Sequence, residues 1–125
     1  MRRVVQLLPT ISFGDAVSND TLALHRVLTG AGYNTAVYAE NIDPRLGKHA
    51  ACPVSMLKLQ KEDILLYHMS TGTDLNLQIP SFPCAKIMIY HNITPPTFFE
   101  PYNLQAAALT AYGLEGLRAM KDTFD

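Results

Sequence analysis

Lys86-Ile87-Met88-Ile89-Tyr90-His91-Asn92-Ile93-Thr94-Pro95-Pro96 carries the signal for fold class. Its first five residues form a short, nearly continuous apolar run, the pattern of a parallel strand covered on both faces by helices. The run stops at His91, and two prolines follow, each fixing φ near about −65° and removing a backbone donor, so the loop carrying His91 and Asn92 is expected to hold its shape. In open α/β sheets ligands sit outside the carboxyl ends of the strands. A histidine at that edge, with an ordinary pKa near about 6.5, can donate, accept or stabilise charge near neutrality.

The rest of the chain falls into the same alternation. Val4 to Leu8 reads as a first strand, followed by a loop through Pro9, Ser12 and Gly14. A helix comes next, with Val17, Thr21, Leu24, Leu28 and Ala31 recurring at intervals of three and four on one face, Asp15 as its N-cap and Gly30 or Gly32 as its stop. Thr35 to Ala39 reads as a second strand, and a polar stretch with Pro44, Gly47 and Pro53 as a long loop. Asp63-Ile64-Leu65-Leu66-Tyr67-His68 is a third strand that also ends on a histidine. Ser70 to Gln78 holds a helical turn or two, Lys86 to Tyr90 is the fourth strand, and Asn103 to Phe124 a closing helix. Strands joined by crossovers predict an α/β fold, a parallel sheet with helices packed on its faces.

On the last helix Leu109, Tyr112, Gly116, Leu117, Met120 and Phe124 share a stripe, with Gly113 beside it. Two helical glycines cost about 1 kcal/mol each relative to alanine. Close approach of the helix to the sheet is the expected offset. The sequence stops at Lys121-Asp122-Thr123-Phe124-Asp125 with no glycine, proline or other terminator, which reads as a chain cut before its natural end.

At 125 residues the chain makes one domain, large enough to bury roughly two thirds of the surface that its unfolded form exposes. Hydrophobic residues are 48% and charged ones 17%, so it is globular rather than disordered or fibrous. A net charge of −1, with Arg2-Arg3 the one adjacent basic pair, argues against a nucleic-acid surface. Val4-Val5-Gln6-Leu7-Leu8-Pro9 is too short, and too broken by Gln6 and Pro9, to be a signal peptide, and no stretch approaches the roughly 20 apolar residues of a membrane span. Peripheral membrane contact stays open. Cys52 and Cys84 lie far apart without a paired partner motif and fit buried or idle thiols in a reducing cytoplasm better than a zinc site or a disulfide framework.

Three loops gather at the carboxyl edge: Gly14-Asp15-Ala16, His68 to Thr73, and His91-Asn92. A glycine turn before a helix can offer free N–H groups and the positive end of the helix dipole to a phosphate. Gly14-Asp15-Ala16 lacks both the three-glycine fingerprint and the P-loop lysine, so a plain turn at Gly14 with Asp15 as cap stands as the simpler alternative. Ser70-Thr71-Gly72-Thr73 offers hydroxyls and N–H groups suited to a phosphate or a sugar, and reads equally well as a Ser/Thr-rich helix start. His25 and His49 are expected at the surface or its boundary. His68 and His91 each follow an apolar strand and are the functional candidates. With no third ligand nearby they do not suggest zinc, and there is no nucleophile elbow or Cys–His pairing.

Leu7-Leu8-Pro9 with Gly14-Asp15-Ala16-Val17-Ser18-Asn19, Ala31-Gly32-Tyr33, Asp43-Pro44-Arg45, Asp63 to His68, and Tyr90-His91-Asn92-Ile93-Thr94-Pro95 to Phe98-Phe99 together resemble the N-terminal domain of a family 4 glycosyltransferase, over nearly the whole chain. The resemblance implies a GT-B enzyme of two Rossmann-like domains, the first favouring the acceptor and the second binding a nucleotide-sugar, with transfer across the cleft, retention of anomeric configuration and no metal. It places Gly14, Asp15 and Ala16 opposite the donor diphosphate and His91 beside the transferred sugar as the catalytic residue. His68 and Ser70 would line the acceptor side, with Thr71 and Asn92 as further substrate-binding candidates. The donor-binding carboxylates and basic residues of this family belong to the second domain, which is absent here, so the chain by itself is expected to be inactive. Two alternatives are a stand-alone ligand-binding module and a partner subunit of a separate catalytic chain. A nucleotide-dependent oxidoreductase domain fits less well, with Glu40 the one acidic residue near the place required after the second strand.

Overall fold

A computed structural model describes residues 2–47, 49–91, 93 and 95–125. Strand β1 (Arg3–Ile11) leads through helix α1 (Ala16–Gly30) to β2 (Asn34–Ile42), and β3 (Cys52–Pro53) lies within the long loop that follows. Then come β4 (Ile64–Met69), the single helical turn α2 (Leu75–Gln78), β5 (Ala85–Tyr90) and the closing helix α3 (Leu104–Met120). The five strands are all parallel, in the order β3-β2-β1-β4-β5. This is a Rossmann-like α/β sheet, as the alternation predicted.

Period-two alternation divides the core between the sheet's two faces. Val5 and Leu7 of β1 join Leu65, Tyr67 and Met69 of β4 under Leu75, Ile79 and Met120, on the side of α2 and α3. Leu8 and Ile11 join Val37 and Ala39 of β2, with Val17 and Leu22 of α1 packed against them. The α1 N-cap is Asp15, whose carboxylate accepts from the Ser18 amide. At its far end Gly32 takes φ +90°, and the amides of Gly32 and Tyr33 fold back onto the carbonyls of Thr29 and Leu28, satisfying two orphan acceptors.

Several boundaries differ from the sequence expectation. β1 does not stop at Leu8 but runs through Pro9 to Ile11, staying paired with β2 as far as Ile11–Ile42. Its pairing with β4 ends at Leu7–Tyr67, so the proline sits where β1 has a single neighbour and a missing N–H is tolerated. β3, two residues long at the sheet edge, is too short to leave a pattern in sequence. β4 carries on to Met69, so His68 lies inside the strand, opposite Ile89, rather than in the loop beyond it.

α3 begins at the Asn103 cap and ends at Met120, short of Phe124. Its glycines meet the loop after β4 rather than the sheet: a Cβ on Gly113 would stand 2.9 Å from the Gly72 amide nitrogen, and one on Gly116 2.7 Å from the Asn76 amide. Gly72 needs the same closeness, since its own Cβ would lie 2.3 Å from the Leu109 carbonyl oxygen. At the opposite end of the sheet Asp63, almost wholly buried, is paired with Arg3 at 3.0 Å and accepts from the Gln60 amide, which holds its carboxyl below the usual range. No helix among the described residues is long and apolar enough to cross a membrane.

Candidate functional site

A parallel sheet whose chain runs first to one side of β1 and then to the other has a switch point between β1 and β4, and crevices open outside the carboxyl ends there. Here the edge is also stepped. β1 and β2 continue four residues or more past the last β1–β4 pair, while β4 turns away into the Ser70–Thr73 loop. The step leaves a cleft of about 300 Å³ lined by Pro9, Thr10, Glu40, Asn41, Thr71, Gly72, Thr73 and Leu109. Its far wall is fixed by the Gly72–Gly113 contact described above, because α3 can reach Gly72 only if neither position carries a side chain.

The polar groups of the cleft are mutually braced. Thr73 donates its hydroxyl to Glu40 Oε1, which ties the β4 loop to the end of β2, and the Asn41 side-chain amide donates to Thr10 Oγ1 at 3.3 Å. Beneath it Tyr67 donates to Asn76 Oδ1 at 2.5 Å, and Asn76 donates to the Thr71 carbonyl at 3.2 Å. Burial, with the Glu40 charge nearby, pushes the Tyr67 phenol well above its usual pKa, so it stays a donor. Among the described residues Glu40 is the lone formal charge on the lining, with no cation beside it, so the cleft suits hydroxyl or amine groups better than a phosphate.

Neither candidate histidine lines the cleft; the two meet on the face of the sheet toward α1. His91, the first residue after β5, donates its backbone amide to the Met69 carbonyl at 2.8 Å, which continues the β4–β5 ladder by one bond. Its ring meets that of His68 edge to edge, with centroids 5.2 Å apart and planes 22° from parallel, and His68 Nδ1 lies 3.0 Å from His91 Nε2. On the other side His68 Nε2 lies 2.8 Å from Gln6 Oε1, and Gln6 Nε2 donates to the Thr21 carbonyl of α1 at 2.9 Å. Gln6 and Thr21 are fully buried and His68 is 1% exposed. Desolvation, and then the neighbouring His91, lowers the His68 pKa to about 4 against a weaker opposing pull from Asp20. His68 is therefore neutral at physiological pH, whereas His91 keeps access to solvent.

Of the remaining sequence candidates, Ser70 and Thr71 follow β4 at this edge, and Thr71 lines the cleft. Gly14, Asp15 and Ala16 form the turn after β1, exposed at the same edge. The Asp15 carboxylate is occupied, accepting from both the amide and the hydroxyl of Ser18, while Ser18 Oγ accepts the Ser12 amide. Gly14, at φ +79°, has nothing within 4 Å of where a Cβ would stand, so the turn is open in front. The turn is also tied down from β2: Asp43 accepts from the Phe13 amide at 3.1 Å and from the Arg45 guanidinium, which itself lies over the Phe13 ring. Asn92 lies outside the described residues.

Sequence reading passed over Gln6, Thr21, Asn41 and Leu109, and weighed Glu40 only as a ribose ligand. Signals existed for the first two: a glutamine interrupting an apolar strand, and a threonine in the apolar stripe of a helix, each signify a buried polar group needing a partner. Nothing local marks Leu109 or Asn41, which become neighbours only when α3 and β2 arrive at the same step. No family model matches this chain, and no curated protein matches it.

Proposed function

We propose that this chain is the N-terminal, acceptor-side domain of a retaining GT-B glycosyltransferase that moves a sugar from a nucleotide-sugar to a sugar or glycan acceptor. The observation that carries the reading is His91, braced by His68 at the exit of β5, on the same carboxyl edge of the sheet as a cleft that presents hydroxyls. On this reading the acceptor occupies the cleft, with Glu40, Asn41 and Thr71 meeting its hydroxyls. The donor is brought by the second domain to the face formed by the Gly14 turn and His91. There the His91 ring would hold a sugar hydroxyl or stabilise charge developing at the anomeric centre, whose transition state resembles an oxocarbenium ion. Asp15, already satisfied by Ser18, would serve the turn rather than bind the diphosphate.

The test is release of nucleoside diphosphate from a panel of nucleotide-sugars by the native gene product, with and without simple glycosides as acceptors. Turnover that falls roughly a hundred- to a thousandfold in His91→Ala with little change in KM is the expected result, the range seen when one stabilising group is removed. No turnover across the panel, or an unaffected variant, overturns it.

A second reading has its own observation. Phe98, Tyr102 and Leu104 are 67%, 88% and 76% exposed, all within the segment between His91 and the first turn of α3. Such an apolar cluster suits a docked partner, either the second domain or a separate catalytic subunit. A mass above that of the monomer on gel filtration favours the separate subunit.

A further inference from the structure

We infer that Gln6 and His68 are positioning residues that hold His91 with its Nε2 hydrogen turned inward, leaving Nδ1 as the atom that meets a ligand. The direction of every hydrogen in the row follows from its buried end. The Thr21 carbonyl has no hydrogen to give, so the Gln6 amide turns its NH₂ toward it and its oxygen toward His68. An oxygen acceptor at 2.8 Å requires His68 Nε2 to carry the hydrogen. A neutral imidazole has one N–H, so His68 Nδ1 presents a lone pair to His91 Nε2 at 3.0 Å, and His91 Nε2 must donate. His91 Nδ1 takes no hydrogen bond from any other described residue.

This row admits two states of His91, neutral with a bare Nδ1 or charged with a hydrogen on it, because Nε2 keeps its hydrogen in both. It forbids the third, in which Nδ1 alone carries the hydrogen. His91 can thus take up and release a proton at Nδ1 without disturbing the core behind it. Resting on the glycosyl-transfer reading, the neutral ring would select a donating partner, a sugar hydroxyl, over a bare phosphate oxygen.

The experiment is long-range proton–nitrogen correlation on the chain labelled with ¹⁵N-histidine, near neutral pH. The expected spectrum shows His68 as a neutral Nε2–H tautomer and His91, when neutral, as Nε2–H too; an Nδ1–H tautomer at either ring overturns the inference, and this wild-type result stands whether or not any variant folds. Gln6→Leu supplies a second arm: it removes the oxygen that holds the hydrogen on His68 Nε2, so His68, and with it His91, is expected to show a mixture of tautomers, and a His91 that stays wholly Nε2–H in that variant overturns the positioning role. With His91 neutral, methyl hexosides are expected to shift Nδ1, whereas a shift with inorganic phosphate alone overturns the donor preference. The tautomers are read without any turnover, so failure of the glycosyl-transfer reading would appear in the nucleotide-sugar assay and leave these spectra as they are.

Discussion

At His68 the environment of one side chain makes stability depend on pH just below neutrality. Its pKa is about 4 in the folded chain against an ordinary 6.5, so between those values the unfolded state binds the extra proton and the folded state does not. Stability is complete above the upper value and falls as pH drops toward the lower, by roughly 3 kcal/mol for a shift of this size. Urea unfolding over that window should show the decline, and His68→Gln should flatten it; equal slopes in the two proteins would remove the buried histidine as its cause. The contribution of Asp63 is separable. Its lowered pKa gives stability that is present above the carboxylate range and is lost only as pH falls below it. That both histidines lie at the carboxyl ends of neighbouring strands was legible from apolar runs ending on imidazoles. That one is the other's support was not, because the answer depends on Gln6 and Thr21, far away in sequence.

Among the elements, α3 and the loop after β4 define each other. Glycines at 113 and 116 were expected to let the helix approach something closely, and the periodicity of the stripe said which face. The partner turned out to be backbone of the Thr71–Gly72 loop and the side chain of Asn76, whose positions depend on where β4 ends. Gly72→Ala places a methyl against the Leu109 carbonyl and the Gly113 amide, both backbone atoms that cannot rotate aside. We expect a loss of about 1–3 kcal/mol, the usual range for overpacking, together with displacement of the cleft wall. Gly30→Ala is the control: it ends α1 with nothing within 4 Å, and should gain up to about 1 kcal/mol from helix propensity. Thermal melts of the two variants check both signs, and a Gly72→Ala protein melting like the parent would dismiss the close approach as a constraint.

For the molecule as a whole, the step at the carboxyl edge gathers groups from β1, β2, the loop after β4 and α3. Every charged group on the cleft lining is anionic, and no described residue there offers a cation to neutralise a diphosphate. On the proposed function this cleft takes the uncharged acceptor, and a second domain holds the donor. The 125-residue chain is accordingly expected to turn over no nucleotide-sugar by itself, and any measurable nucleoside diphosphate release by it would sink the division of labour between two domains.

Short-range chemistry settled the fold class: continuous apolar runs can be satisfied only inside a covered parallel sheet, and caps such as Asp15 and stops such as Gly32 act within a few residues of themselves. Those signals were enough to place four of the five strands along the chain and to single out His68 and His91. Where β1 ends, which face of Gly72 is closed, and how Gln6 orients an imidazole at the far side of the sheet all rest on contacts between segments tens of residues apart. A buried polar group takes its role from the partner that desolvation forces upon it, and packing alone determines which partner that is.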